Sequence, residues 1–147
     1  MTNTVEQHKV NRTGWPSGPW DQEPDKLNWT DEKTGLPCMI VRNSLGALCG
    51  YVAVTRDHPA YGMGYDDVSV DVHGGLTYAS RCNHVICHVP EPGASDDVWW
   101  LGFDCAHSGD CAPAYPARYH GNHDVYRDMA YVGAEVERLA DQLKNMS

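Results

Sequence analysis

The amino-acid sequence predicts an α+β domain, in which a small antiparallel sheet of about four strands carries a C-terminal amphipathic helix on one face. Runs rich in β-branched and aromatic residues begin at Cys38, and apolar residues near the end of the chain recur at helical spacing. Strands followed by a helix are typical of the α+β class. We therefore divide the chain into an irregular N-terminal arm, residues 1–36, and a single domain, residues 37–147.

The N-terminal arm is rich in proline and tryptophan. Closely spaced prolines exclude a long helix or a central strand. Exposed tryptophans are costly, so we expect the arm to lie over the core as an ordered segment or a lid. The residues concerned are Trp15, Pro16, Pro19, Trp20, Pro24 and Trp29, with Pro37 directly after the arm.

The predicted strands follow the arm. CMIVRN and ALCGYVAVT, separated by Ser44-Leu45-Gly46, have the composition of a β-hairpin. VSVDV (68–72) alternates like a half-buried strand and continues into HGGLTYAS, and VWWLGF (98–103) is apolar like a buried strand.

The predicted helix has its apolar face at Val125, Met129, Val132, Val136, Leu139 and Leu143. Asn122 and Asp124 are the candidate N-caps.

Charge and length exclude several classes of function. The formal net charge is −9, with 20 acidic and 11 basic residues, and no basic stripe is present for nucleic-acid phosphates. No apolar run is long enough to cross a membrane, and the first residues lack the features of a secretory signal. We therefore expect a cytoplasmic protein that binds neither nucleic acid nor membrane.

Reactive side chains follow two of the predicted strands. Asp71 and His73 precede Gly74-Gly75, while Asp104, His107 and Asp110 follow the apolar run. Polar groups at the ends of neighbouring strands converge, and paired glycines allow a ligand to approach the backbone. His73, Asp104, His107 and Asp110 are therefore the candidate catalytic residues, for acid–base chemistry or for a divalent metal.

A structural role competes with this interpretation. Aspartate at a strand end commonly binds backbone amides in a turn, and each histidine can be a satisfied, half-buried imidazole. If the cluster is a pocket, we expect the surrounding aromatic and glycine residues to hold the ligand. These candidates are Tyr61, Tyr65, Gly74, Gly75 and Tyr78.

The six cysteines support a second hypothesis. Cys82-Asn83-His84 with Cys87 resembles Cys105-Ala106-His107 with Cys111 in spacing. Cys82, Cys87, Cys105 and His107 would complete a structural zinc site, although no C-x-x-C pair is present. In a reducing cytoplasm we expect thiols or metal ligands, and disulfides are the alternative that the even number of cysteines allows.

Three longer segments resemble a family of small proteins encoded by tailed bacteriophages and found in bacterial genomes: HGGLTYA (73–79), ICHVPEPG (86–93) and DVWWLGFDCAHSGD (97–110). The resemblance covers roughly residues 38 to 145. It implies a non-structural protein acting in the cytoplasm of an infected bacterium, and it implies no catalytic residues, because that family has no assigned function.

Two functions are compatible with these observations. The first is a hydrolase, with or without a divalent metal such as zinc, that acts on a small nucleotide-like molecule to counter host defence. The second is a non-catalytic protein that sequesters such a molecule or inhibits a host protein. The sequence does not distinguish them, and it does not indicate an oligomeric state.

Overall fold

The computed structural model describes residues 4–5, 8–90, 92–107, 109–114 and 125–146. Short 3-10 helices at Pro19–Gln22 and Tyr65–Asp67 interrupt the connections between the main elements. The main elements, in chain order, are β1 Thr4–Val5, β2 Lys26–Thr30, β3 Pro37–Arg42, β4 Leu48–Thr55, β5 Tyr78–Arg81, β6 Val98–Asp104 and α1 Met129–Lys144.

The strands form one antiparallel sheet in the order β1-β2-β3-β4-β6-β5. With the C-terminal helix, this arrangement confirms the α+β class. The prediction of about four strands was too low, because five strands have at least four residues and the two-residue β1 adds an edge. β1 and β2 lie within the segment that was predicted to be an irregular arm, and β5 lies beyond the strand predicted at 68–72.

The sheet is buried on both faces, and the alternation of side chains along β4 shows this directly. Val52 and Val54 point to the face that carries α1 and belong to the larger core cluster. Cys49, Tyr51 and Ala53 point to the opposite face and pack in a second cluster with Trp100. A run such as LCGYVAV, in which both faces are apolar, is what a strand buried on both sides requires.

Helix α1 begins later than predicted. Asp128 caps it, because its carboxylate accepts a hydrogen bond from the backbone N–H of Tyr131 at 2.8 Å. Val125 therefore precedes the helix, and it pairs with Asp110 in an isolated bridge. The predicted caps Asn122 and Asp124 lie outside the described residues. The predicted apolar face is otherwise confirmed, with Val132, Val136, Leu139 and Leu143 fully buried.

The predicted strand at 68–72 is wrong. Val68 and Val72 are buried as the alternation requires, but the backbone there follows an irregular path beside α1. Two helix side chains replace a neighbouring strand as hydrogen-bond acceptors. The backbone N–H of Asp71 donates to Gln142 Oε1 at 2.7 Å, and that of His73 donates to Glu135 Oε1 at 2.9 Å. This loop consequently holds His73 beside the helix.

A buried charge network joins the N-terminal segment to the domain. Arg42 is 1% exposed, and its Nε donates to Asp25 Oδ1 at 2.8 Å. The same guanidinium donates to Glu23 at 3.2 Å and to the hydroxyl of Tyr126 at 2.7 Å. Arg12 also pairs with Asp25. Since buried charges require partners, this network fixes residues 12–25 against the sheet.

Candidate functional site

His73 and Asp110, predicted from separate segments, are brought into direct contact. His73 Nε2 lies 2.8 Å from Asp110 Oδ2 and 3.1 Å from Oδ1. A carboxylate accepts hydrogen bonds, so His73 Nε2 is the donor and carries a proton. The other ring nitrogen, Nδ1, lies 2.8 Å from the hydroxyl of Tyr131 on α1. Both nitrogens of the imidazole are therefore already engaged.

Asp110 is equally well satisfied. It is 3% exposed, and it accepts from Arg127 Nε at 3.0 Å and from the backbone N–H of His107 at 3.1 Å. Burial acts to raise the pKa of Asp110, but the hydrogen bonds from His73, Arg127 and His107 outweigh it and lower the pKa below its usual value. This pair anchors the 105–111 turn to α1, which agrees with the structural interpretation for these two residues.

The Gly74-Gly75 turn brings the backbone against the second histidine. Gly74 and Gly75 have φ values of 69° and 79°, in the left-handed region that favours glycine. A Cβ atom at Gly74 would lie 2.3 Å from the ring of His107, so the absence of a side chain allows this contact. Gly74 thus packs beside His107, and neither predicted glycine is among the lining residues of the cavity described below.

Asp104 and His107 form the second pair. Asp104 Oδ1 and His107 Nε2 lie 3.2 Å apart, but they are not aligned as a hydrogen bond. Asp104 instead accepts from Thr77 Oγ1 at 3.0 Å through Oδ2 and from the backbone N–H of Ala106 at 3.1 Å through Oδ1. His107 Nε2 is buried without a hydrogen-bond partner among the described residues. This pair, unlike His73 and Asp110, retains capacity to bind a ligand.

A cavity of about 440 Å³ opens beside Asp104 and His107, on the sheet face opposite α1. The ring of Tyr51 lies over Gly102, where a Cβ would be 2.2 Å away, and meets the ring of Tyr78 edge to face at 5.3 Å. The hydroxyl of Tyr78 is buried with no partner in the described chain. The lining residues are Asn43, Cys49, Tyr51, Thr77, Tyr78, Phe103, Asp104, Ala106 and His107.

A second cavity of about 420 Å³ adjoins the first, because Asn43, Cys49 and Tyr51 line both. Its other walls come from the N-terminal segment at residues 8–11, the end of β3 and Val85-Ile86. We refer to these two adjoining cavities, which lie at the end of β3, the start of β4 and the end of β6, as the groove.

A third cavity, of about 700 Å³, lies on the other side of the sheet, between β2 and α1. None of the buried, unpartnered side-chain atoms in the described residues belongs to its lining, so it is the weaker candidate for a polar ligand.

Tyr61 and Tyr65 are not brought to the groove. The hydroxyl of Tyr61 donates to Asp97 at 2.5 Å, and its ring packs against Trp99. Tyr65 lies on a 3-10 helix with 44% of its surface exposed. Of the three tyrosines predicted to hold a ligand, only Tyr78 lines the cavity beside His107.

The four predicted zinc ligands are not gathered. Cys82 and Cys87 form a disulfide with a Cα–Cα distance of 4.6 Å, whereas thiols or metal ligands were expected. Cys105 is 2% exposed, and burial raises the pKa of its thiol well above the usual value. No group of three or more His, Cys, Asp or Glu side chains in the described residues is placed to hold a metal ion. The zinc hypothesis therefore has no support from this arrangement.

Sequence reasoning missed Tyr51, Asn43 and the N-terminal wall of the groove. Tyr51 sits in an apolar strand, where an aromatic residue is usually a core residue. Gly102 could have indicated that a ring packs there, because a glycine inside a strand often marks a close approach by another group. The HGNHD segment (120–124), whose histidines and aspartate are of metal-ligating types, lies outside the described residues.

Comparison with known proteins gives no relative: no family model, curated protein or solved structure matches this chain. No helix in the described part of the chain has the length and apolar character required to cross a membrane.

Proposed function

We propose that the protein binds a small, polar, ring-containing molecule of nucleotide type in the groove beside Tyr78 and His107. One observation carries the proposal: Tyr78 Oη and His107 Nε2 are buried, lack partners among the described residues, and belong to side chains that line the same cavity. Buried polar groups are nearly always hydrogen-bonded in native proteins. A ligand that hydrogen-bonds to both atoms would satisfy them.

The energetics support a ligand in this position. A buried polar atom without a partner costs about 1–3 kcal/mol, so two such atoms in one cavity are a considerable burden for the free protein. The cavity, at about 440 Å³, falls within the size range of small-molecule sites. Its mixture of tyrosine rings with a carboxylate and an imidazole suits a molecule that has both a flat ring and polar edges.

Hydrolysis of the bound molecule is the second candidate function, and the Asp104–His107 pair favours it. A carboxylate 3.2 Å from an imidazole can stabilise the imidazolium that forms when histidine removes a proton from water. His107 would act as the general base and Asp104 as its partner. His73 and Asp110 would act as positioning residues. Asp110 accepts a hydrogen bond from the backbone N–H of His107, and the His73 ring is already hydrogen-bonded to Asp110 and Tyr131.

The resemblance to tailed-phage proteins supports a setting for this function. In the cytoplasm of an infected bacterium, such a protein would remove a small signal molecule that the host uses in defence. The Cys82–Cys87 disulfide does not favour this setting, since disulfides are rare in reducing compartments. The setting therefore rests on the resemblance alone.

The binding function is tested by native mass spectrometry of the purified protein after incubation with a panel of nucleosides and nucleotides. We expect a one-to-one adduct that weakens in Tyr78→Phe. Tyr65→Phe, on an exposed residue away from the groove, is the matched control and should bind as the wild type does. If no panel member binds, or if both variants bind as the wild type does, the binding site is not this groove.

The same incubation separates binding from hydrolysis. Mass analysis of the free small molecule should show it intact if the protein only binds, and cleaved with the addition of one water if it hydrolyses. For hydrolysis, His107→Gln should abolish turnover while an adduct persists. Turnover that is unchanged in this variant would exclude His107 as the base.

A further inference from the structure

The groove has opposite electrical character at its two ends. Asp104 lies at one end, and Lys9 with His8 lies at the other, beyond Val41. Val41, Cys49 and Asp104 are cross-strand neighbours in β3, β4 and β6. Two inter-strand spacings separate Val41 from Asp104, which amounts to roughly 10 Å. This span, from Asp104 to the strand that borders the basic end, is comparable to the distance between the base edge and the phosphate of a nucleotide.

The acidic end can accept two further hydrogen bonds. An ionised carboxylate has about four acceptor positions, and Asp104 uses one for Thr77 and one for Ala106. Asp104 is the only carboxylate in the lining of this cavity, and no described Lys or Arg borders it. The acidic end therefore suits a neutral group that presents two adjacent N–H donors.

The basic end has an available cation in an acidic protein. Arg42 also lines the second cavity, but its guanidinium is buried and engaged with Asp25, Glu23 and Tyr126. Lys9 is exposed and makes no ion pair with any carboxylate of the described residues. With His8 beside it, Lys9 is the group that can meet an anionic phosphate.

We propose that the ligand is a guanine nucleotide, with its base at Asp104 and its phosphate at Lys9; this inference rests on the proposed binding function. Guanine presents its ring N1–H and its exocyclic amino group side by side, so a carboxylate accepts from both. Adenine presents an acceptor nitrogen at the same position, which a carboxylate repels. Uracil and cytosine each present a single donor beside acceptors. Reading a base by its Watson–Crick edge is the usual means of discrimination in such pockets.

Tyr51 and Tyr78 form an aromatic wall at the acidic end of the groove, where both pair with Gly102 of β6, and only Tyr51 also lines the second cavity. The unpartnered hydroxyl of Tyr78 can hydrogen-bond to the base. His107 lines the same end of the groove, with Nε2 3.2 Å from Asp104 Oδ1.

The test is isothermal titration calorimetry of the full chain with GMP, IMP, AMP and guanosine. GMP should bind at least about 10-fold more tightly than AMP, because the carboxylate gains two donors from one base and meets an acceptor on the other. IMP lacks the amino group and should bind several-fold more weakly than GMP. Guanosine should bind more weakly than GMP because it lacks the phosphate.

Three variants test which residue binds the base and which binds the phosphate. Asp104→Asn should remove the preference for GMP over AMP, and Lys9→Ala should weaken GMP by about 5-fold while leaving guanosine unchanged. Lys144→Ala, an exposed lysine at the end of α1, is the matched control and should change neither affinity. Circular dichroism of each variant confirms that it is folded.

The outcomes separate this inference from the function on which it rests. AMP binding as tightly as GMP, with both weakened by Tyr78→Phe, would overturn the guanine assignment and keep the groove as a nucleotide site. A GMP preference that survives in Asp104→Asn would overturn the role of Asp104. A groove that binds no member of either panel would overturn both the guanine assignment and the binding function.

Discussion

Replacing Tyr78 by phenylalanine should stabilise the ligand-free protein, the reverse of the usual effect of removing a polar group from a folded chain. The hydroxyl of Tyr78 is buried and has no partner in the described residues, so folding takes it out of water without compensation. Phenylalanine keeps the ring, and therefore the edge-to-face contact with Tyr51 at 5.3 Å. Only the hydroxyl is lost.

The size of the effect follows from the cost of an unpartnered polar atom. That cost is about 1–3 kcal/mol, and we expect Tyr78→Phe to recover about 1 kcal/mol of it. For a chain of 147 residues this corresponds to an increase in Tm of about 3 °C. Ligand affinity should change in the opposite direction, by about 5-fold, because the lost hydroxyl makes its hydrogen bond only to the ligand.

The assay is differential scanning calorimetry of the ligand-free protein, with Tyr126→Phe as the matched control. The hydroxyl of Tyr126 accepts from Arg42 at 2.7 Å and donates to Glu23 at 2.5 Å, so its removal should destabilise the protein by about 2 kcal/mol. A Tm for Tyr78→Phe that falls as far as the Tm of Tyr126→Phe would show that the Tyr78 hydroxyl has a partner in the free protein, contrary to this prediction.

Three further variants probe the frame of the site by urea denaturation. Asp110→Asn should lower the free energy of unfolding by about 2–4 kcal/mol at pH 7. Because the pKa of Asp110 is lowered in the folded state, the stabilisation by its carboxylate is complete above about pH 4 and is lost as the pH falls further. A difference in stability between wild type and variant that stays constant down to about pH 3 would contradict this prediction. Cys82→Ser should cost about 2 kcal/mol for a disulfide with a sequence separation of 5, and the wild type treated with reductant should match the variant. Gly74→Ala should cost more than Gly93→Ala, because both have positive φ but only the first places a Cβ 2.3 Å from His107; equal costs would show that this contact is not tight.

The elements that local pattern determines could be predicted from the sequence. The helical spacing of Val132, Val136, Leu139 and Leu143 predicted their burial, and the glycine between the two apolar runs predicted the β3–β4 hairpin. The start of the helix was misplaced because Val125 also fits the helical spacing. The spacing of apolar residues alone does not show which residue caps the helix.

The elements that depend on distant partners could not be predicted. VSVDV alternates like a strand, yet the backbone N–H of its Asp71 donates to Gln142, and that of the next residue but one, His73, donates to Glu135. Both acceptors lie far along the chain on α1. Alternation reports which side chains are buried, and it does not report which group satisfies the backbone. The strand β2 was missed for a related reason, since prolines on both sides concealed a short run that pairs with β3.

The candidate site also combines a part that could be predicted from the sequence with a part that could not. The convergence of His73 with Asp110 was predicted from their places after two neighbouring strands, although the segment before His73 is not a strand. The groove was not predicted, because cross-strand pairing places Cys49 beside Asp104, and the N-terminal segment then adds Lys9 from a part of the chain about forty residues earlier. Sequence reasoning proposed individual reactive residues, while the lateral order of the strands decides which of them share a cavity.

The central claim is that a small ring-containing molecule binds in the groove beside Tyr78 and His107. An NMR titration of the ¹⁵N-labelled protein with an equimolar mixture of AMP, GMP, CMP and UMP tests it most directly. We expect saturable shifts in the backbone amides of residues 49–51, 77–78 and 104–107. The absence of saturable shifts, or shifts concentrated around Trp29, Gly133 and Glu137 in the cavity on the opposite face, would contradict it.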